Sequence, residues 1–179
     1  RFMDYLVHKM KIDDKIFHLK LWDTAGSERY RSITRGYYSN SACAIFVYDI
    51  TNKKSFDSIK EWVEDCKSNT NSTIHFVLVG NKLDLDEKRE VSEEQGRELS
   101  LDYGMKFFES SALTGQNIKE IFKDSCKVIN DNINNKLYDL NDPSNGIKVC
   151  RNDSDSIYEI DKSMGTISNS NFDIKSNKS

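Results

Sequence analysis

The stretch Ile74-His75-Phe76-Val77-Leu78-Val79-Gly80-Asn81-Lys82-Leu83-Asp84 passes from an apolar run straight into a charged loop. Ile74 to Val79 has the length and continuous apolar character of a strand buried on both faces. In open α/β sheets, ligands sit at the loops that follow the carboxyl ends of strands. Asn81-Lys82-Leu83-Asp84 is placed as such a loop. An Asp carboxylate there can accept two hydrogen bonds from the N1 and N2 edge of guanine. Adenine lacks that donor pair, so the carboxylate selects guanine. Asn81 can donate to the N7 edge of the purine and tie neighbouring loops together, and the Lys82 stem can lie over the base. At average composition an N-K-x-D pattern arises by chance in about 2% of chains this size. The competing reading is an ordinary polar loop.

Outward from this stretch, strands and helices alternate. Ala42 to Tyr48 is a second continuous apolar run. Residues 5–12 alternate at a period of two, Asp13-Asp14-Lys15 is a turn, and Ile16 to Trp22 returns as the antiparallel arm of a hairpin. Phe56, Ile59, Trp62, Val63 and Cys66 recur at helical spacing, with Ser55 expected as N-cap. Ser92 and Gln95 form a capping box for a helix expected to stop at Gly104. Lys106 to Phe108 reads as a short strand. Ile118, Ile121, Phe122, Cys126, Ile129 and Ile133 define a last helix, with Asn117 and Glu120 as its box. A hairpin followed by alternating strand and helix predicts an α/β domain with a mostly parallel sheet flanked by helices. The pattern ends near Asn134. Residues 1–135 are expected to form the domain. Residues 136–179, rich in Asn, Ser, Asp and Lys, are expected to be a flexible tail unable to bury enough surface to fold alone.

Composition narrows the function. The 179 residues carry 26 Lys plus Arg against 29 Asp plus Glu, a formal charge of -3. That balance offers no electrostatic case for nucleic acid or an anionic membrane surface. No apolar run approaches the ~20 residues that span a bilayer. Cys43, Cys66, Cys126 and Cys150 stand far apart and at no metal spacing, which predicts reduced thiols in a cytosolic protein. His8, His18 and His75 fall on separate strands and make no metal cluster. Serine or cysteine nucleophile chemistry lacks a base.

Two more strand-end loops are chemically loaded. In Trp22-Asp23-Thr24-Ala25-Gly26, an Asp at a strand end can hold a metal through water, and a Gly lets an N–H approach a phosphate. Alone, a strand-terminating turn reads the same way. In Glu109-Ser110-Ser111-Ala112-Leu113, a small residue lets a backbone N–H reach guanine O6. That loop takes its weight from its position after the next strand.

Together, in this order, the three loops resemble those of a Rab-family small GTPase of the Ras superfamily, over about residues 4–134. His18-Leu19-Lys20-Leu21-Trp22, Arg29-Tyr30-Arg31-Ser32-Ile33-Thr34, Tyr37-Tyr38 and Phe46-Val47-Tyr48-Asp49-Ile50-Thr51 are typical Rab stretches. Ser111 to Asn117, Tyr138 to Asn141 and Asn145 to Lys148 look like the branch holding the Rabs two, four and fourteen. The resemblance implies a P-loop NTPase-type fold and a GTP-hydrolysing switch of vesicle traffic, at the cytosolic face of Golgi or early endosome membranes. By it, Asp23 would contact Mg²⁺ through water and the Gly26 N–H would sense the γ-phosphate. Residues 24–38 would be the second switch, ordered with GTP and loosened with GDP. Asn81, Lys82, Asp84, Ser111, Ala112 and Leu113 would bind guanine. Trp22, Tyr30, Ile33 and Tyr37 would meet effectors, exchange factors and GTPase-activating proteins, although Trp22 fits plain core packing equally well.

Several features depart from the family. None of the eight glycines is followed by Lys, so the G-x-x-x-x-G-K-[ST] phosphate loop is absent from these residues, with the first strand and helix of the family fold. The chain starts at Arg1 inside a strand-like segment, and an incomplete copy of a Rab is the expectation. In the family fold the missing strand lies between those at 16–22 and 42–48. Its loss is expected to leave two strand edges facing an empty slot and a chain neither stable nor able to hold GTP tightly by itself. Ser27 stands where the family has a water-positioning Gln; losing such a donor costs roughly 10²–10³ in rate. Leu113 replaces a frequent Lys but can still pack on a base. The prenylated C-terminal cysteines of the family have no counterpart in Asn177-Lys178-Ser179, so no lipid anchor is expected on these residues. The alternative is a degenerate Rab-like interaction module without nucleotide. A small-molecule kinase fits the guanine loops poorly.

Overall fold

The computed structural model describes residues 5–24, 36–70, 72–152 and 155–168. Strands β1 (Tyr5–Ile12) and β2 (Lys15–Thr24) form the expected hairpin, antiparallel, with Leu6 opposite Leu21 and Met10 opposite Phe17. There follow β3 (Cys43–Asp49), helices α1 (Lys53–Asp57) and α2 (Ile59–Lys67), β4 (His75–Asn81), α3 (Glu93–Tyr103), β5 (Lys106–Glu109) and α4 (Ile118–Asn134). Two further strands close the described chain, β6 (Ile147–Asn152) and β7 (Asp155–Ser168). The sheet order is β1-β2-β7-β3-β4-β5, with β6 paired to β7. β3, β4, β5, β2 and β7 run parallel where they pair. This is the mostly parallel sheet flanked by helices that the alternating pattern predicts.

Every residue of β3 is buried because both of its faces are covered. Cys43, Ile45 and Val47 join Phe17, Leu19, Val77 and Val79 under Ile121, Cys126, Ile129 and Ile133 of α4. Ala44, Phe46 and Tyr48 join Leu78 on the other face, against Phe56, Ile59, Trp62, Val63 and Leu99. Two helical layers therefore sandwich the sheet, and the loops after β3, β4 and β5 emerge together at one edge.

Local signals fared unevenly. The Ser92 hydroxyl accepts from the Gln95 N–H, the Gln95 side chain accepts from the Ser92 N–H, and α3 stops at Gly104 with φ of 66°. The cap expected at Ser55 lies instead at Asn52, whose side-chain Oδ1 accepts from the Ser55 N–H. Ser55 is inside α1, where its buried hydroxyl bridges Asp49 and Asn52. The helical run also breaks at Ser58 into α1 and α2. Asn117 does not cap α4: its backbone is left-handed, and its amide donates to the Glu109 carbonyl at 2.8 Å. A tertiary acceptor outbids the local cap.

The flexible tail and the empty slot both need correction. Within 136–179, Tyr138 and Ile147 are buried in the α4-side core, and the Asp142 carboxylate caps the short 3-10 turn Pro143–Asn145. β7 then lies in the gap between β2 and β3, pairing Leu21–Thr24 on one side and Cys43–Val47 on the other. Two bare strand edges present rows of N–H and C=O groups that a backbone of almost any sequence can satisfy.

Candidate functional site

The carboxyl ends of β3 and β4 sit side by side, with Asp49 in register with Asn81. The chain after β5 is drawn onto the same edge: the Ser110 N–H donates to Gly80 O at 2.8 Å, and the Leu83 N–H donates to Ser110 O at 2.9 Å. Asn81, only 4% exposed, locks the two loops. Its Oδ1 accepts from the Ala112 N–H at 3.0 Å and from the Ser110 hydroxyl at 3.5 Å. The Ser111 hydroxyl donates to Asp84 Oδ1 and accepts from the Thr114 N–H at 3.1 Å. Asp84 itself is exposed. Its carboxylate is thus oriented from one side and open on the other, the arrangement needed to receive a pair of donors.

Lys82 adopts a left-handed backbone, φ 70° and ψ 36°, at the turn that delivers Leu83 and Asp84. Its Nζ lies 2.6 Å from Asp49 Oδ2. Asp49 Oδ1 accepts from the Thr51 N–H at 2.8 Å and the Thr51 hydroxyl at 2.7 Å. Burial would raise the Asp49 pKa; Lys82 and the Thr51 donors outweigh it and hold the carboxyl below the ordinary value. The ion pair links the turn after β4 to the carboxyl end of β3. Leu113, on the loop after β5, is 82% exposed. The Ala112 N–H, read from sequence as a donor to a base, is used by Asn81 instead.

Sequence reasoning missed what holds this edge from behind. Arg89 makes a two-pronged contact with Glu109, at 2.6 Å and 2.9 Å, and donates to Asp86 Oδ1 at 2.7 Å through Nε. Glu109 and Asp86 together raise the Arg89 pKa despite partial burial. Glu109 immediately precedes Ser110 and Ser111, so the salt bridge fixes the start of their loop. Asp49 was another miss as a partner of Lys82. No local signal marks either pair, because the partners lie on different elements.

The other end of the edge is sparser. Asp23 is solvent-accessible near the end of β2, in register with Thr166 of β7, and partial burial raises its pKa. Trp22 and Tyr37 are half-buried, with ring centroids 5.0 Å apart and planes tilted by 43°. Gly26, Ser27, Tyr30 and Ile33 lie outside the described residues. Among the described residues no group of three His, Cys, Asp or Glu side chains could hold a metal ion. The three histidines sit on β1, β2 and β4, and burial lowers the pKa of His75. The described residues therefore fit a purine carrying the guanine donor pair. They do not by themselves fit a Mg²⁺–triphosphate, for which Asp23 is a lone carboxylate and no Lys-bearing glycine loop is present. No helix among the described residues is long and apolar enough to cross a membrane.

The sequence matches the Ras family over residues 2–131. It is 40% identical over 154 residues to Ras-related protein Rab-8B of Bos taurus, and equally to that of Pongo abelii and of Homo sapiens. Each alignment takes in 85% of this chain and 74% of the relative. With the sheet order, the Asn81–Asp84 loop and the Ser111 loop converging on one edge, the chain belongs to the Ras family of small GTP-binding proteins, which includes the Rabs of vesicle transport.

Proposed function

We propose that this protein is a guanine-nucleotide-binding switch of vesicle traffic, with the base held between Asp84, Asn81, the Lys82 stem and the Ser111–Leu113 loop. The observation that carries the reading is the open Asp84 carboxylate, braced by Ser111 and backed by the Asn81 link to Ala112. Asp84 accepts from N1–H and N2–H of guanine. The unused Asn81 amide faces the N7 edge, and Leu113 covers the ring. Only together with a phosphate loop, which these residues do not include, would Asp23 hold Mg²⁺ through water and the Gly26 N–H answer a γ-phosphate. Ser27, too short to position water as a Gln does, leaves intrinsic hydrolysis slow and dependent on an activating protein. Effectors and exchange factors meet the Trp22–Tyr37 face together with Tyr30 and Ile33. The loop from Ser111 to Asn117 supports the branch of the Rabs two, four and fourteen, and with it the cytosolic face of Golgi or early endosome membranes.

The test is equilibrium binding of a fluorescent GDP, with the adenine analogue as control. Guanine preference is expected, and Asp84→Ala should weaken it by about a hundredfold, from two hydrogen bonds to a charged group at about 1.5 kcal/mol each. Equal binding of both nucleotides, or indifference to Asp84→Ala, would sink the reading. A second reading, an interaction module that works without nucleotide, is favoured by one observation: β7 closes the sheet with no phosphate loop attached to its described residues. No measurable binding of either nucleotide would favour it.

A further inference from the structure

Among the described residues Asp49 is the one buried residue that carries a charge, its side chain 7% exposed. A buried carboxylate persists in its charged form only when its oxygens are paired. Thr51 takes one of them: Asp49 Oδ1 accepts from the Thr51 N–H at 2.8 Å and from its hydroxyl at 2.7 Å. The main chain of Asp49 is fixed as well. Its N–H donates to Ser55 Oγ at 3.0 Å, and its carbonyl accepts from the Asn52 N–H at 3.0 Å. Oδ2 is left to meet Lys82 Nζ, at 2.6 Å. The carboxylate is therefore set in place independently of Lys82.

Lys82 is the partner that needs holding. Its backbone is left-handed, φ 70°, yet it lacks the short polar side chain that lets Asp13, Asn40 and Asn117 adopt that conformation readily. It stands between Asn81 and Leu83-Asp84. Two hydrogen bonds flank the turn: the Leu83 N–H donates to Ser110 O at 2.9 Å, and the Leu85 N–H donates to Lys82 O at 2.8 Å. The Lys82 side chain is 41% exposed, so the ion pair adds little to overall stability and acts locally.

We propose that Asp49 is a positioning residue for base recognition: its carboxylate holds Lys82 in the left-handed turn, and the turn presents Asp84 to guanine. The inference rests on the reading of Asp84 as the acceptor of the guanine edge. Asp49 acts on the base only through Lys82.

Asp49→Asn separates the two duties of the carboxylate. The remaining carbonyl oxygen can still accept from Thr51, while the charge facing Lys82 is gone. Amide hydrogen exchange on the full chain should show Leu83 and Leu85 about threefold faster, the worth of a partly exposed ion pair, with Val77–Val79 of β4 unchanged. Lys82→Met keeps an apolar stem and should give the same acceleration. The double variant should go no further than either, since both changes remove one contact. In equilibrium binding of a fluorescent GDP and its adenine analogue, the guanine preference should fall by a similar factor in all three variants. A role confined to the Thr51 turn gives a different pattern: Asp49→Asn behaves as the parent and only Asp49→Ala is disturbed. That pattern, unchanged exchange at Leu83 and Leu85 in Asp49→Asn, or additive effects in the double variant would overturn the proposal. A parent chain with no guanine preference would overturn the reading of Asp84 itself. A preference present in the parent that survives Asp49→Asn would overturn only the role of Asp49.

Discussion

β3 and β7 lie side by side in one sheet, point the same way and exchange main-chain hydrogen bonds over five residues. One is apolar from Cys43 to Tyr48 and the other carries four charged residues, Asp155, Glu159, Asp161 and Lys162, within its length. β3 is a strand because of its side chains, which bury against helices on both faces. β7 is a strand because of its position, held by main-chain pairing to β2 on one side and β3 on the other. The same secondary structure can thus rest on packing in one strand and on backbone satisfaction in the next, and only the first kind leaves a pattern in the sequence.

The comparison can be broken first at its strongest point. Phe46, fully buried in β3, should cost about 3–5 kcal/mol when replaced by Ala, read by chemical denaturation. A cost below 1 kcal/mol would remove side-chain packing as the reason for β3. Next comes the joint between the two kinds of strand. Gly146 holds φ at 71° against Asn40 and Ala42, so Gly146→Ala adds backbone strain to overpacking and should cost about 1–3 kcal/mol. Faster hydrogen exchange should appear in 155–168 ahead of β4. A smaller effect, about 1 kcal/mol, is expected for Ser92→Ala, which removes a cap that is entirely local. It should leave exchange in β7 unchanged.

The smallest effect concerns the Asp49–Lys82 pair. The folded Asp49 pKa lies below its ordinary 3.8, so the folded state binds its proton less readily than the unfolded state. The stabilisation is complete above the ordinary pKa and is lost as pH falls through the lower folded value. Acid titration of stability should therefore be shallower below pH 3.8 for Asp49→Asn than for the parent. An identical acid limb would mean that the pair adds nothing specific.

Much of the candidate edge was legible in sequence as two short runs at strand ends: Asn81 to Asp84, and Ser110 to Leu113. The hairpin, β3, β4, α3 and α4 were legible by period and length. Ser55 and Asn117 misled because a residue with cap chemistry was read without knowing what else lay within reach. Asn52 sits one turn earlier with a side-chain oxygen that takes the Ser55 N–H, and the Glu109 carbonyl takes the Asn117 amide. Arg89 with Glu109 and Lys82 with Asp49 were invisible because their partners are 20 and 33 residues apart along the chain.

By itself, then, the sequence determined the α/β class, the two-sided burial of β3 and β4 and the chemical character of the loops after β4 and β5, since all three follow from local composition and period. Tertiary structure alone decided that Asn81 spends its oxygen on Ala112, that Arg89 bolts Glu109, and that residues 155–168 become a central strand. The physical reason is common to these cases. A backbone or side-chain hydrogen bond needs only a partner at the right place, and which groups meet is settled by the packing of the whole sheet rather than by any stretch of it.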